Sequence, residues 1–137
     1  MVFTPINYDD KKLASMSFAA SITVTKGNAL ADNGAGFLTN AAEDQNTDVT
    51  HVAMETVTTG SSTGDLVLCI RTRGTIFDVD TDANPAQTNV LTYVDLEGAA
   101  SVDPDSTTDA LFFIESIQGE FSDRLVRGWF IHGATNT

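Results

Sequence analysis

Cysteine, proline and positive charge are all scarce in this chain. The single cysteine among 137 residues, Cys69, allows no disulfide framework. Its place in the apolar run Asp65-Leu66-Val67-Leu68-Cys69-Ile70 reads as a small buried thiol, not a reactive one. The three prolines, Pro5, Pro85 and Pro104, stand in a terminal segment and two loops and interrupt no apolar run. Seven lysines and arginines against nineteen acids give a net charge of −12, which opposes attachment to nucleic acid or anionic lipid. Long hydrophobic runs are missing too. Asp9, Asp10, Lys11 and Lys12 fall where a signal peptide needs its apolar stretch, and no segment approaches a bilayer span, so synthesis and retention in the cytoplasm are expected. No segment sustains a helical period.

Strand signals are plentiful. Short β-branched and aromatic runs recur about every ten residues between Gly, Asn, Asp and Pro, which predicts an all-β domain, a small barrel or sandwich of short antiparallel strands over residues 21–137. At this length one domain is the default. Residues 1–20 differ: Pro5 holds Phe3, Ile6 and Tyr8 extended, and the segment reads as an N-terminal arm laid on something, with a terminal edge strand of the same domain as the alternative. Under the arm reading, removing residues 1–12 abolishes the arm's docking and leaves the melting point nearly unchanged. Asn33-Gly34 predicts a hairpin turn, Val49–Val57 one strand, and Gly60-Ser61-Ser62-Thr63-Gly64 a hairpin loop into Leu66–Arg73.

The closing hairpin carries the most information. In Ala110-Leu111-Phe112-Phe113-Ile114, Leu111 and Phe113 point one way while Phe112 and Ile114 point the other. In the last strand Leu125, Arg127, Trp129 and Ile131 share one face, and Arg124, Val126, Gly128, Phe130 and His132 the other. One core covers one face, so the second needs another layer or another molecule. Phe112, Ile114, Arg127, Trp129 and Phe130 are therefore candidate core or oligomer contacts.

Candidate chemistry is weaker. Gly60–Gly64 has the letters of a nucleophile elbow, but a strand follows where that elbow needs a helix, and neither His51 nor His132 supplies a positioned base. Asp78, Asp80, Asp82 and Asn84 alternate like calcium ligands; Ala83 stands where the loop wants glycine and Asn89 where it wants glutamate, so Asp78, Asp80 and Asp82 form a weak metal candidate, and Asp103, Asp105 and Asp109 a second. Zinc lacks any ligand spacing. Gly34-Ala35-Gly36 is followed by Thr39 in place of the third glycine of a dinucleotide fingerprint. No cofactor and no enzymatic activity are expected.

The stretch Asn89-Val90-Leu91-Thr92-Tyr93-Val94-Asp95-Leu96-Glu97-Gly98, then Val102-Asp103-Pro104-Asp105-Ser106-Thr107-Thr108-Asp109-Ala110-Leu111-Phe112 and Arg127-Gly128-Trp129-Phe130-Ile131, resembles the small β-rich head decoration, or cement, proteins of tailed bacteriophages. Thr25-Lys26-Gly27-Asn28-Ala29-Leu30, Val52-Ala53-Met54-Glu55 and Gly64-Asp65-Leu66-Val67 are similar to their opening half. The resemblance implies a homotrimer on the virion exterior that binds the major capsid protein and clamps neighbouring subunits, with Phe3, Pro5, Ile6 and Tyr8 as the docking arm. A tail-tube or head-fibre subunit is the near alternative. A calcium-assisted carbohydrate-binding module is the alternative from another class.

Overall fold

The computed structural model describes residues 2–133. It is all-β, with thirteen strands and three single-turn 3-10 helices. The strands are β1 (Thr4–Pro5), β2 (Leu13–Phe18), β3 (Thr23–Val24), β4 (Ala29–Asp32), β5 (Leu38–Asn40), β6 (His51–Ala53), β7 (Val57–Thr58), β8 (Asp65–Arg71), β9 (Phe77–Thr81), β10 (Thr92–Gly98), β11 (Ser101–Asp103), β12 (Phe112–Ile117) and β13 (Leu125–Phe130). They form two closed rings. The first is β2-β5-β4-β6-β8; in the second, β9 pairs with both β11 and β13 and so closes β9-β11-β10-β12-β13. β3 and β7 form a separate two-stranded ribbon.

Where one barrel or sandwich was expected, there are two barrels that share a wall. In register across β4, β6, β8 and β2 lie Ala29, Val52, Ile70 and Leu13. Because neighbours alternate sides, Leu30, Ala53 and Cys69 fill the first barrel with Phe18, Val24, Leu38 and Val67. Ala29, Val52 and Ile70 instead join Phe77, Val79, Val94, Leu96, Val102, Phe112, Ile114, Val126 and Phe130 of the second barrel in one continuous core, against which Leu13 packs. Ala29 N–H also donates to Ala99 O (2.6 Å), a backbone link between the rings.

The N-terminal arm is corrected. Phe3 is 1% exposed and sits among Phe77, Phe112 and Phe130, its ring 4.8 Å from that of Phe130. Thr4 and Pro5 pair with Asp78 and Phe77 on the edge of β9, and β2 pairs along its whole length with β8. The physical reason is that the arm's largest apolar side chain finds its cover inside the second barrel. Residues 2–20 thus belong to the fold, and removing residues 1–12 empties a core site.

Other expectations need smaller adjustments. β4 and β5 do pair around Asn33-Gly34, but through a five-residue loop in which Asp32 Oδ1 accepts from Gly34 and Gly36, and Asn33 Oδ1 from Ala35 and Phe37. Residues 49–57 divide into β6 and the start of β7, which belong to different sheets. Gly60–Gly64 therefore connects sheets and does not close a hairpin. The β12–β13 hairpin forms as expected, and Gly128 is demanded there: a Cβ would lie 1.8 Å from Phe113 O.

Candidate functional site

The second barrel divides the candidate residues between its two sides. Val126, Gly128 and Phe130 of β13 are buried, as are Phe112 and Ile114 of β12, so these last three candidates are core. Arg127, Trp129 and Phe113 face outward and are only half-buried. Leu111 departs from its expected face: Ala110, just before it, has φ 54°, and the turned backbone buries Leu111 fully.

The outward residues form a strip. Tyr93, Phe113 and Trp129 are in register across β10, β12 and β13, with ring centroids 4.9 and 4.8 Å apart. Ile76, just before β9, lines with Trp129, Phe130, Asn7, Gly74 and Thr75 a cleft of about 240 Å³. Ile6 N–H donates to Ile76 O at 2.9 Å, which carries the strip onto the N-terminal strand. Five strand positions at ~4.8 Å spacing make it roughly 19 Å long. Tyr93 is 51% exposed and Ile6 40%. Leu91, beside Tyr93 along the chain, is 66% exposed and has φ 64°, a strained left-handed conformation for a bulky side chain. Tyr8 is also exposed.

Arg127 borders the strip and holds Asp78 in a two-pronged pair, Nε to Oδ1 at 2.7 Å and Nη2 to Oδ2 at 3.1 Å. That hydrogen-bonded pairing raises the guanidinium's pKa above its ordinary value. Asp78 is thereby withdrawn from the expected metal group. The carboxylates that do come together are Asp82, Glu97 and Asp103, whose ligand oxygens lie within 4.8 Å of one another. Of the predicted Asp78, Asp80 and Asp82, Asp82 alone is among them. Burial, then the charge of Asp103, raises the Asp82 pKa; burial, then Asp82, Glu43 and Asp103, raises that of Glu97. Three carboxylates supply three to six of the six to eight oxygens of a calcium shell, and carbonyls or water would have to complete it.

Asp95 does the opposite. Its buried carboxylate accepts from Ser106 Oγ and from the backbone N–H groups of Thr108, Asp109 and Ala110, at 2.6–3.2 Å. Burial pushes its pKa up, but these hydrogen bonds outweigh it and hold the group below the ordinary carboxylate range. It shapes the acidic loop before β12. Cys69 is fully buried, and burial followed by the charge of Glu55 pushes its thiol up to about 12. Thr72, His132 and Asp48 superficially resemble a hydrolytic triad, with Thr72 Oγ1 2.8 Å from His132 Nε2. The hydroxyl is fully buried and donates to Val49 O at 2.7 Å, so no substrate carbonyl can reach it.

Residue patterns alone missed Tyr93, Leu91 and Ile76 as parts of the strip. The signal was present for two of them: Leu91 and Tyr93 lie two apart, opposite the buried Val94 and Leu96, the same two-sided pattern as the closing hairpin. Ile76 needed the register. No protein-family model, curated protein or solved structure matches this chain.

Proposed function

We propose that this chain is a structural assembly protein, a capsid decoration protein that stabilises a phage head by clamping neighbouring copies of the major capsid protein. The observation that carries the reading is the outward strip Ile6–Ile76–Trp129–Phe113–Tyr93, an apolar line that crosses four strands of a barrel whose interior is already filled and continues onto the N-terminal strand beside it. A solitary acidic protein gains nothing from leaving such a line wet. Aromatic residues flanked by an arginine ion pair have the composition of interface cores. In this reading Tyr93, Phe113 and Trp129 meet sister copies in a homotrimer, and Ile6 and Tyr8 face the shell. A stable contact needs roughly 800 Å² per partner, and a trimer touching several capsid subunits gains avidity from linked contacts. The charge of −12 keeps decorated particles apart.

Light scattering on the purified chain is expected to give about three times 14.6 kDa, unchanged by chelator. Phe113→Ser with Trp129→Ser is expected to give a folded monomer that no longer binds heads lacking the protein. A wild-type monomer without affinity for any head would sink the proposal. Exposed aromatics on a sheet also favour sugar stacking, and a monomer that binds glycans would move the assignment to a carbohydrate-binding module.

A further inference from the structure

In a chain with so few cations, Arg71 and Arg73 come together with both histidines where the two barrels meet, and the Lys12 ammonium lies beside them on Arg73 O. A cleft of about 220 Å³ is lined by Asp48, Thr50, His51, Arg71, Arg73 and His132. His51 and Arg71 are register partners on β6 and β8 of the first barrel, Arg73 lies in the connection to β9, and His132 follows β13 of the second. Arg71 Nη1 donates to the carbonyls of Lys11 (2.9 Å) and Leu13 (3.4 Å), and Lys12 Nζ donates to Arg73 O (2.8 Å). These contacts fix the Arg71 guanidinium and the Lys12 ammonium without neutralising either. Among the described residues neither Arg71 nor Arg73 forms an ion pair with a carboxylate.

The hydrogen bonds also assign the proton of one histidine, His132. Thr72 Oγ1 gives its only proton to Val49 O, so at 2.8 Å it must accept from His132 Nε2–H. His132 Nδ1 gains a donor proton only when the ring is charged. His51 Nδ1 lies 2.8 Å from Thr50 Oγ1. Burial and the adjacent arginines, Arg71 for His51 and Arg73 for His132, lower both histidine pKa values, with Asp48 opposing this at His132. The one carboxylate in the lining is partly committed: Asp48 Oδ2 accepts from Gly133 N–H at 3.0 Å, and Oδ1 is buried without a partner among the described residues.

We infer that this cleft binds a small phosphate-class oxyanion, gripped by Arg71 and Arg73, with one further donor from the Thr50–His51 pair and a second from His132 Nδ1 once that ring takes up a proton alongside the anion. Guanidinium forks match tetrahedral oxyanions, and an anion in this cleft meets two exposed forks against a single carboxylate, Asp48, among the described lining residues. The volume suits one phosphoryl group more than a drug-sized ligand, for which pockets start near ~300 Å³. Acidic groups farther from the cleft than a Debye length, about 8 Å at physiological salt, are largely screened, so a small anion inside it feels mainly the local charges, whereas a polyanion reaching past it meets the acidic surface. Since the lining comes from both barrels, the ligand bridges them and stabilises their junction.

The test is a titration of the full chain with inorganic phosphate, with glycerol 3-phosphate, and with sodium chloride at matched ionic strength, read by melting temperature and by histidine ring resonances. Both phosphates are expected to raise the melting temperature saturably and to shift His51 and His132. Monoester binding at least tenfold tighter assigns the site to a phosphorylated metabolite, and equal binding assigns it to free phosphate. Arg73→Met is expected to weaken binding at least tenfold and Lys26→Met to leave it unchanged. Should Arg73→Met fail to fold, Arg73→Lys, which keeps the charge but loses the fork, is expected to weaken binding severalfold. Equal stabilisation by chloride, unmoved histidine resonances, or an Arg73 variant that binds like wild type would overturn the inference.

Discussion

The two barrels have five strands each and solve the filling problem differently. The first is packed with small and aliphatic side chains around one aromatic, Phe18, all from its own strands or the adjoining ribbon. The second closes around four phenylalanines, Phe3, Phe77, Phe112 and Phe130, one of them brought in by the N-terminal segment. With its interior full, its remaining aromatics stand outside. Apolar excess on a barrel's outer wall thus marks what the fold does not use; on the first barrel Ala29, Val52 and Ile70 are consumed by the shared wall, while Leu66 and Leu68 of β8 stay exposed.

Phe3→Ala probes the difference most strongly. It is expected to cost about 3–5 kcal/mol, as for other buried phenylalanines. Because Val52 and Ile70 share Phe3's cluster, denaturant melts should stay a single transition seen equally by amide exchange in β8 and β13. Two transitions would mean that the barrels are independent. Next comes Gly128→Ala, on the order of 2–3 kcal/mol, since a Cβ there overpacks against the backbone of β12. A near-neutral result would break the claim that this hairpin has no room.

Asp95→Asn keeps one of two acceptor oxygens and is expected to cost about 1–3 kcal/mol. Its lowered folded pKa contributes stability that is present above the ordinary carboxylate pKa and lost as pH falls through the folded value. The variant's acid-denaturation curve should be shallower in that window. Glu97→Gln tests the opposite sign: the raised pKa values of Asp82 and Glu97 mean stability lost as pH rises from the ordinary carboxylate range through the raised one. A slightly higher melting temperature at neutral pH is expected, shrinking toward zero in acid. The smallest effect is at Cys69, whose thiol should stay silent to a thiol reagent until the protein unfolds.

The all-β class and the two faces of β13 were legible in the sequence because alternation is local: Val126, Gly128 and Phe130 inward, Arg127 and Trp129 outward. The doubling of the barrel was not, since strand partners are chosen over long separations, as when β9 takes β13 on one edge and β1 and β11 on the other. Phe3 was misassigned for the same reason: nothing near it in sequence announces Phe77, Phe112 and Phe130. The cationic cleft was equally hidden, since His51, Arg71, Arg73 and His132 come from separate stretches of chain and meet only in the folded barrels.

Phe3 and Phe130 stack from opposite ends of the described chain. On the ribosome the first barrel can close once β8 has emerged, whereas Phe3 has no completed site until β13 is made. The second barrel therefore closes only after β13 has emerged, and until then Phe3 stays available to chaperones or to misplaced neighbours.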